Sequence, residues 1–189
     1  MARKKTITKD HILNAAYEIV ATEGFSRFTA RNIASKMKCS TQPIYLEFKN
    51  MDDLKNALFD KIEGYLHEEV FSQVITGAPI VDMTLNYVHF AAEEKVLYRS
   101  LYVEEHSGGT KLNKFSYDLF MEKISGDEKL KNLSQEKKEV LFSGTWVVAT
   151  GLASLKSGGL INPSDEKIID LMREVTRGII ENNDYTFIL

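Results

Sequence analysis

Apolar residues return every three or four positions along almost the whole of this chain, and nowhere do they alternate with polar ones. Ile12, Ala16, Ile19 and Val20 form one such stripe, Ala30, Ile33, Ala34 and Met37 a second, and Ile168, Met172, Val175 and Ile179 a last. That period places each set on one face of an α-helix, whereas a half-buried strand would need a period of two. No hairpin signal separates the stripes, so the chain is expected to be all-α. The run Leu141 to Leu155 carries no charge, and its 15 residues fall short of the roughly 20 needed to span a bilayer. Leu141, Val148, Leu152 and Leu155 lie on one side of it and Phe142, Trp146, Ala149 and Ala153 on another, the pattern of a helix buried on two sides.

Start and stop signals divide the chain. Thr8 is placed to cap a helix over Lys9 to Glu23, and Gly24 ends it. Thr29 can cap a short second helix. Lys38 and Cys39 then connect tightly to Ser40, a third candidate cap, in the stretch KCSTQPIYLEF. Ile44 and Phe48 share an inward face there, which leaves Thr41, Gln42, Tyr45 and Lys49 on other faces. Asn50 opens a fourth helix with Asp53 at its third position, and Leu54, Leu58, Ile62, Tyr65 and Leu66 carry it past residue 66. Gly77 and Pro79 mark a break. One or two helices follow to about residue 105, then a glycine loop over 106–110 and a helix over 112–125. Ser134 caps a long helix to about Lys156, and the last helix runs from Ser164 to about Asn182.

Net charge is only −3, yet residues 1–50 hold nine lysines or arginines against four acids, a balance of +5, and the rest of the chain carries −8. Such a split points to a polyanion met by the N-terminal quarter alone. Two short helices joined by a tight turn, the second opening on polar residues, are what a helix-turn-helix requires, because its N-terminal end enters the major groove. Arg3, Lys4 and Lys5 read as a solvated tail rather than a minor-groove arm.

The segment Thr8 to Leu54 resembles the N-terminal DNA-binding domain of the TetR family of transcriptional regulators. The resemblance rests on Thr8, Ile12, Ala15-Ala16, Gly24-Phe25, Thr29, Ile33-Ala34, Ser40, Tyr45, Phe48 and Leu54, in order and at the family's spacing. It implies an N-terminal three-helix head over residues 1–50 and a helical effector-binding and dimerisation domain over 51–189. The head would contact DNA through Thr29, Arg31, Ser40, Thr41, Gln42, Pro43, Tyr45 and Lys49. Thr41, Gln42 and Pro43 would face the major groove, and Tyr45 and Lys49 would meet phosphates. Dimerisation is expected through helices at about 134–156 and 164–182. An unidentified small molecule would bind among Tyr87, Phe90, Tyr98, Tyr102, Phe120 and Trp146, aromatics that core packing would explain as well. Met51 stands where the family usually places a phosphate-binding lysine, which Lys49 or Lys55 would partly replace. The implied protein is a cytoplasmic repressor that binds a palindromic operator as a homodimer. A regulator-like protein acting through protein contacts, its DNA binding weak or vestigial, is the alternative.

Signatures of other chemistry fail. His67-Glu68 opens a zinc-protease pattern, but Phe71 stands where the second histidine belongs. Gly108-Gly109-Thr110-Lys111 lacks phosphate-loop spacing, and Glu104, Glu105 and His106 read as solvated loop residues rather than metal ligands. The lone cysteine, Cys39, excludes an internal disulfide and a cysteine zinc cluster. No enzyme, no cofactor, no metal and no membrane segment is therefore expected. The N-terminal ten residues lack the apolar core of a secretion signal.

Overall fold

The computed structural model describes residues 7–104 and 109–182. Among these it contains helices and turns and no strand. In order the helices are α1 (Lys9–Glu23), α2 (Ala30–Lys36), α3 (Gln42–Glu47), α4 (Met51–Tyr65), α5 (Pro79–Glu93), α6 (Lys95–Tyr102), α7 (Thr110–Ser125), α8 (Gln135–Ser157) and α9 (Asp165–Glu181). None is long and apolar enough to cross a membrane.

Most boundaries follow the chemistry of helix ends. The Thr8 hydroxyl accepts from the His11 N–H at 3.3 Å, the Thr29 hydroxyl from Asn32 at 3.2 Å and the Ser134 hydroxyl from Lys137 at 3.2 Å, each satisfying one of the first-turn donors. Two side chains close the start of α4: that of Asn50 accepts from the Asp53 N–H at 2.8 Å, and the Asp53 carboxylate accepts from the backbone N–H of Lys49 at 3.0 Å. Gly24 stops α1 at φ +87°, a conformation that suits glycine.

The cap expected at Ser40 is not made. α3 begins at Gln42 with Thr41 in the cap position, its backbone already helical and its side chain making no cap bond. Pro43 supplies no N–H, and the Ile44 N–H is taken by the Thr41 carbonyl at 3.1 Å, so neither donor that the Thr41 hydroxyl could cap is open to it. Two further boundaries differ. α7 starts at Thr110, two residues before the expected position. The fourth helix does not run on regularly past residue 66 but closes in a π-type turn over Leu66–Val70, which brings the Phe71 N–H onto the Leu66 carbonyl at 2.8 Å. The loop expected at 106–110 lies mostly outside the described residues.

The chain falls into two compact units, one of residues 1–65 with 96–112, the other of residues 66–95 with 113–189. In the first, α1 packs on α2, α3 and α4, and Ile12, Ile19, Val20, Ile33, Ile44, Phe48, Leu54 and Leu58 are buried. α6 completes it with buried Leu97, Tyr98 and Leu101. Lys111 reaches Asp60 at 2.6 Å within the same unit. In the second, α5 packs on α8 and α9. α5 is buried almost all round, including Asp82, whose carboxylate accepts from the Thr76 N–H at 2.7 Å, the Thr76 hydroxyl at 2.6 Å and the Gly77 N–H at 3.0 Å. α8 and α9 approach closely at Gly144, where an added Cβ would stand 2.6 Å from Ile179 Cδ1.

Candidate nucleic-acid interface and ligand cavity

The candidate interface is built from α2, α3 and the turn between them. That turn is a Schellman motif: the Lys38 N–H donates to the Ser35 carbonyl and the Cys39 N–H to the Ala34 carbonyl, both at 3.0 Å. Lys38 takes φ +54° to make it, a left-handed conformation usually left to glycine. α3 is then seated by Ile44 and Phe48, 0% and 2% exposed. Because those two lie one turn apart, Gln42, Tyr45 and Leu46 of this six-residue helix are turned outward. Thr41 and Gln42 are exposed, Pro43 is half-buried, and Tyr45 is 53% exposed. Leu46 is 71% exposed on the same helix. It was not among the expected contacts, although the Ile44–Phe48 spacing alone would have turned it outward.

Charge in this unit is distributed more sparingly than the +5 balance suggests. Arg27 pairs with Glu23 at 3.2 Å and Lys36 with Glu18 at 2.8 Å. The Lys9 ammonium lies 5.2 Å from the centre of the Phe48 ring, and that of Lys55 lies 5.3 Å from Phe25 and 5.7 Å from Phe59. Arg31, Lys38 and Lys49 are exposed, and their side-chain cations have no carboxylate partner among the described residues. They sit at the start of α2, in the turn and just after α3. Thr29 caps α2 with its oxygen and keeps its O–H hydrogen available. Ser40 is exposed beside Thr41. Arg3, Lys4 and Lys5 lie outside the described residues, as do Glu105 and His106.

The second unit contains a small aromatic cavity of about 20 Å³. Its walls are Phe71, Tyr87, Phe120, Phe142 and Trp146, closed by Ile80, Met83, Thr84, Thr145 and Ala149. The Trp146 ring is 5.9 Å from Phe142 and nearly parallel to it, and 5.0 Å from Tyr87. Phe120 meets Phe142 edge-on at 5.4 Å. Of the six aromatics expected around a ligand, Tyr87, Phe120 and Trp146 line this cavity. Phe90 is buried on α5 outside its wall. Tyr98 and Tyr102 belong to α6 in the first unit, where their rings lie 6.0 Å apart. No group of three or more metal-binding side chains occurs among the described residues.

Residues 12–58 match the model of the bacterial regulatory proteins of the tetR family. Among solved structures, a TetR-family protein from Vibrio parahaemolyticus aligns over 89% of this chain and 96% of its own, with a TM-score of 0.63 and 18% identity. The fatty acid degradation regulator FadR from Bacillus halodurans aligns over 97% of this chain and 100% of its own, at 0.57 and 16%. A TetR-like transcriptional regulator from Rhodococcus sp. RHA1 aligns over 95% and 100%, at 0.55 and 19%. At these identities the likeness is one of fold. No curated protein is significantly similar in sequence.

Proposed function

We propose, from the premise that this chain belongs to the TetR family of bacterial regulatory proteins, that it is a ligand-responsive repressor binding a palindromic operator as a homodimer. The observation that carries this reading is the outward polar front of α3. Thr41, Gln42 and Tyr45 are exposed while Ile44 and Phe48 anchor the helix from behind, the arrangement a recognition helix needs to present side chains to base edges. Thr41, Gln42 and Pro43 then read the major groove, with Ser40 beside them. Thr29, Arg31, Tyr45 and Lys49 hold phosphates. Residues 1–50 are the DNA-binding domain, and 51–189 bind effector and dimerise. The protein acts in the cytoplasm without catalysis of its own.

Exposed Val147 and Leu155 on α8 and Leu171 on α9 supply apolar surface for a second copy. The aromatic cavity, with Tyr87, Phe120 and Trp146, is the effector site. An effector that favours one spacing of the two heads pulls them out of register with major grooves about 34 Å apart, and affinity falls tenfold for each roughly 1.4 kcal/mol by which it prefers that state. Genome-wide footprinting with the purified protein tests the reading: a protected palindrome supports it, and none anywhere ends it.

Met51 favours a second reading, in which DNA contact is weak and the acidic body binds proteins. The position that family members fill with a lysine is here a half-buried thioether, and Lys55 is occupied by two rings. A gel shift on the DNA upstream of its own gene, with and without competitor, separates the two.

A further inference from the structure

The aromatic cavity of the second unit is too small, as it stands, for an organic molecule. About 20 Å³ accommodates a single water, so an organic molecule enters only if part of the wall moves. Phe71 and Met83 are the side chains that decide where. Both line the cavity, both also line the adjoining open groove of about 260 Å³, and both are buried. They stand between the small cavity and the wider groove. Phe71 stands on constrained backbone: its own N–H is bound to Leu66, Asp82 holds residues 76 and 77, and the Asn86 side chain donates to the Gln73 carbonyl at 2.9 Å. Met83 is an unbranched side chain with three rotatable bonds and a polarizable sulfur, which makes it the movable half of the partition.

The lining also restricts what can enter. None of its residues carries a charge at neutral pH. The Thr84 hydroxyl donates to the Ile80 carbonyl at 3.0 Å and the Thr145 hydroxyl to the Leu141 carbonyl at 2.7 Å, so both donors are engaged within their own helices. A carboxylate or ammonium brought inside would lose its water with no counter-charge to replace it. A ring offered to Trp146 and Phe142, by contrast, meets flat apolar faces with which offset stacking is favourable.

We infer that the cavity admits an uncharged, planar aromatic compound by displacement of Met83, and rejects acids and amines built on the same ring. This rests on the reading of the second unit as effector-binding. Trp146 is the only tryptophan and reports contact directly. The full-length protein is titrated with 4-bromobenzyl alcohol, 4-bromobenzoate and 4-bromobenzylamine, whose bromine quenches indole emission at contact. The alcohol is expected to quench saturably, with the acid and the amine at least about tenfold weaker. Met83→Ala, which opens the partition, tightens the alcohol about threefold or more, and Ala149→Leu, which fills the cavity, weakens it by a similar factor. Thermal melts by circular dichroism establish that each variant is folded. Equal saturation by all three compounds overturns the inference, as does strictly linear quenching by all three, or an affinity for the alcohol that neither folded variant changes. Operator release is measured separately. Saturable binding of the alcohol with DNA still held contradicts the effector reading but leaves the ligand class standing, whereas release of DNA by the acid alone contradicts the ligand class.

Discussion

Lys38 exerts opposite pulls on stability and binding. Its left-handed backbone costs about 1–2 kcal/mol relative to glycine, against which the greater freedom of an unfolded glycine counts for about 0.4–1 kcal/mol. Lys38→Gly should therefore stabilise the protein by roughly 0.5–1 kcal/mol in chemical denaturation. It should also flatten the dependence of operator affinity on salt by about 0.9 in log–log slope, one phosphate's worth, if the exposed ammonium meets the backbone of DNA. Met51→Lys should do the reverse to the slope and steepen it by about the same amount. Gln42→Ala is expected to relax discrimination at one base pair by about 1–3 kcal/mol, whereas Tyr45→Phe weakens all sequences alike, since a phosphate contact carries no base information. A binding-site selection run on both variants separates those two behaviours. The left-handed turn at Lys38 was invisible in the sequence because the residue that ordinarily announces it, glycine, is missing. Leu46 was legible and overlooked: the spacing that turns Ile44 and Phe48 inward also turns the residue midway between them outward.

At the scale of elements, the helices were readable wherever a cap hydroxyl and an apolar stripe agree. α1, α2 and α8 lie within a residue or two of their expected ends because Thr8, Gly24, Thr29 and Ser134 act through their immediate neighbours, and α9 does so on its apolar stripe alone, since Ser164 makes no side-chain cap bond. The start of α3 escaped because Thr41 takes the cap position with helical backbone and no side-chain bond, so no hydroxyl marks it. The π-type closing turn after α4 escaped because tertiary packing of Phe71, and no local signal, selects it. The same limit applies to the cavity. Periodicity marks Tyr98 and Tyr102 as aromatics on a helical face, but which unit that face joins is decided by contacts distant in sequence. Asp82 is the clearest element-scale device that sequence did not reveal. It closes the loop before α5 with three accepted hydrogen bonds. Asp82→Asn, which keeps the shape and halves the acceptors, should cost about 1–3 kcal/mol and speed amide exchange at Thr76 and Gly77 while α8 stays protected.

On the scale of the whole molecule, the proposed self-association is what would set the geometry of the proposed operator. Leu171→Asp and Val147→Asp place a charge on exposed apolar positions of α9 and α8, where neither disturbs the buried face. Light scattering should then give the 21.5 kDa mass of one chain rather than twice that, and palindrome binding should drop to the level of a half-site. A folded double variant that stays dimeric places the interface elsewhere. The order of the two units along the chain has a different sort of consequence. The polypeptide leaves the first unit after residue 65, returns to it at 96 and departs again after 112. A ribosome delivers residues in one direction, so the first unit cannot be completed when its own helix-turn-helix emerges. It has to wait for Leu97, Tyr98 and Leu101, by which time α5 has already been made. The nascent first unit therefore lacks α6 over some thirty residues of synthesis that belong to its neighbour, and is completed only on a chain that already carries the first helix of the second unit.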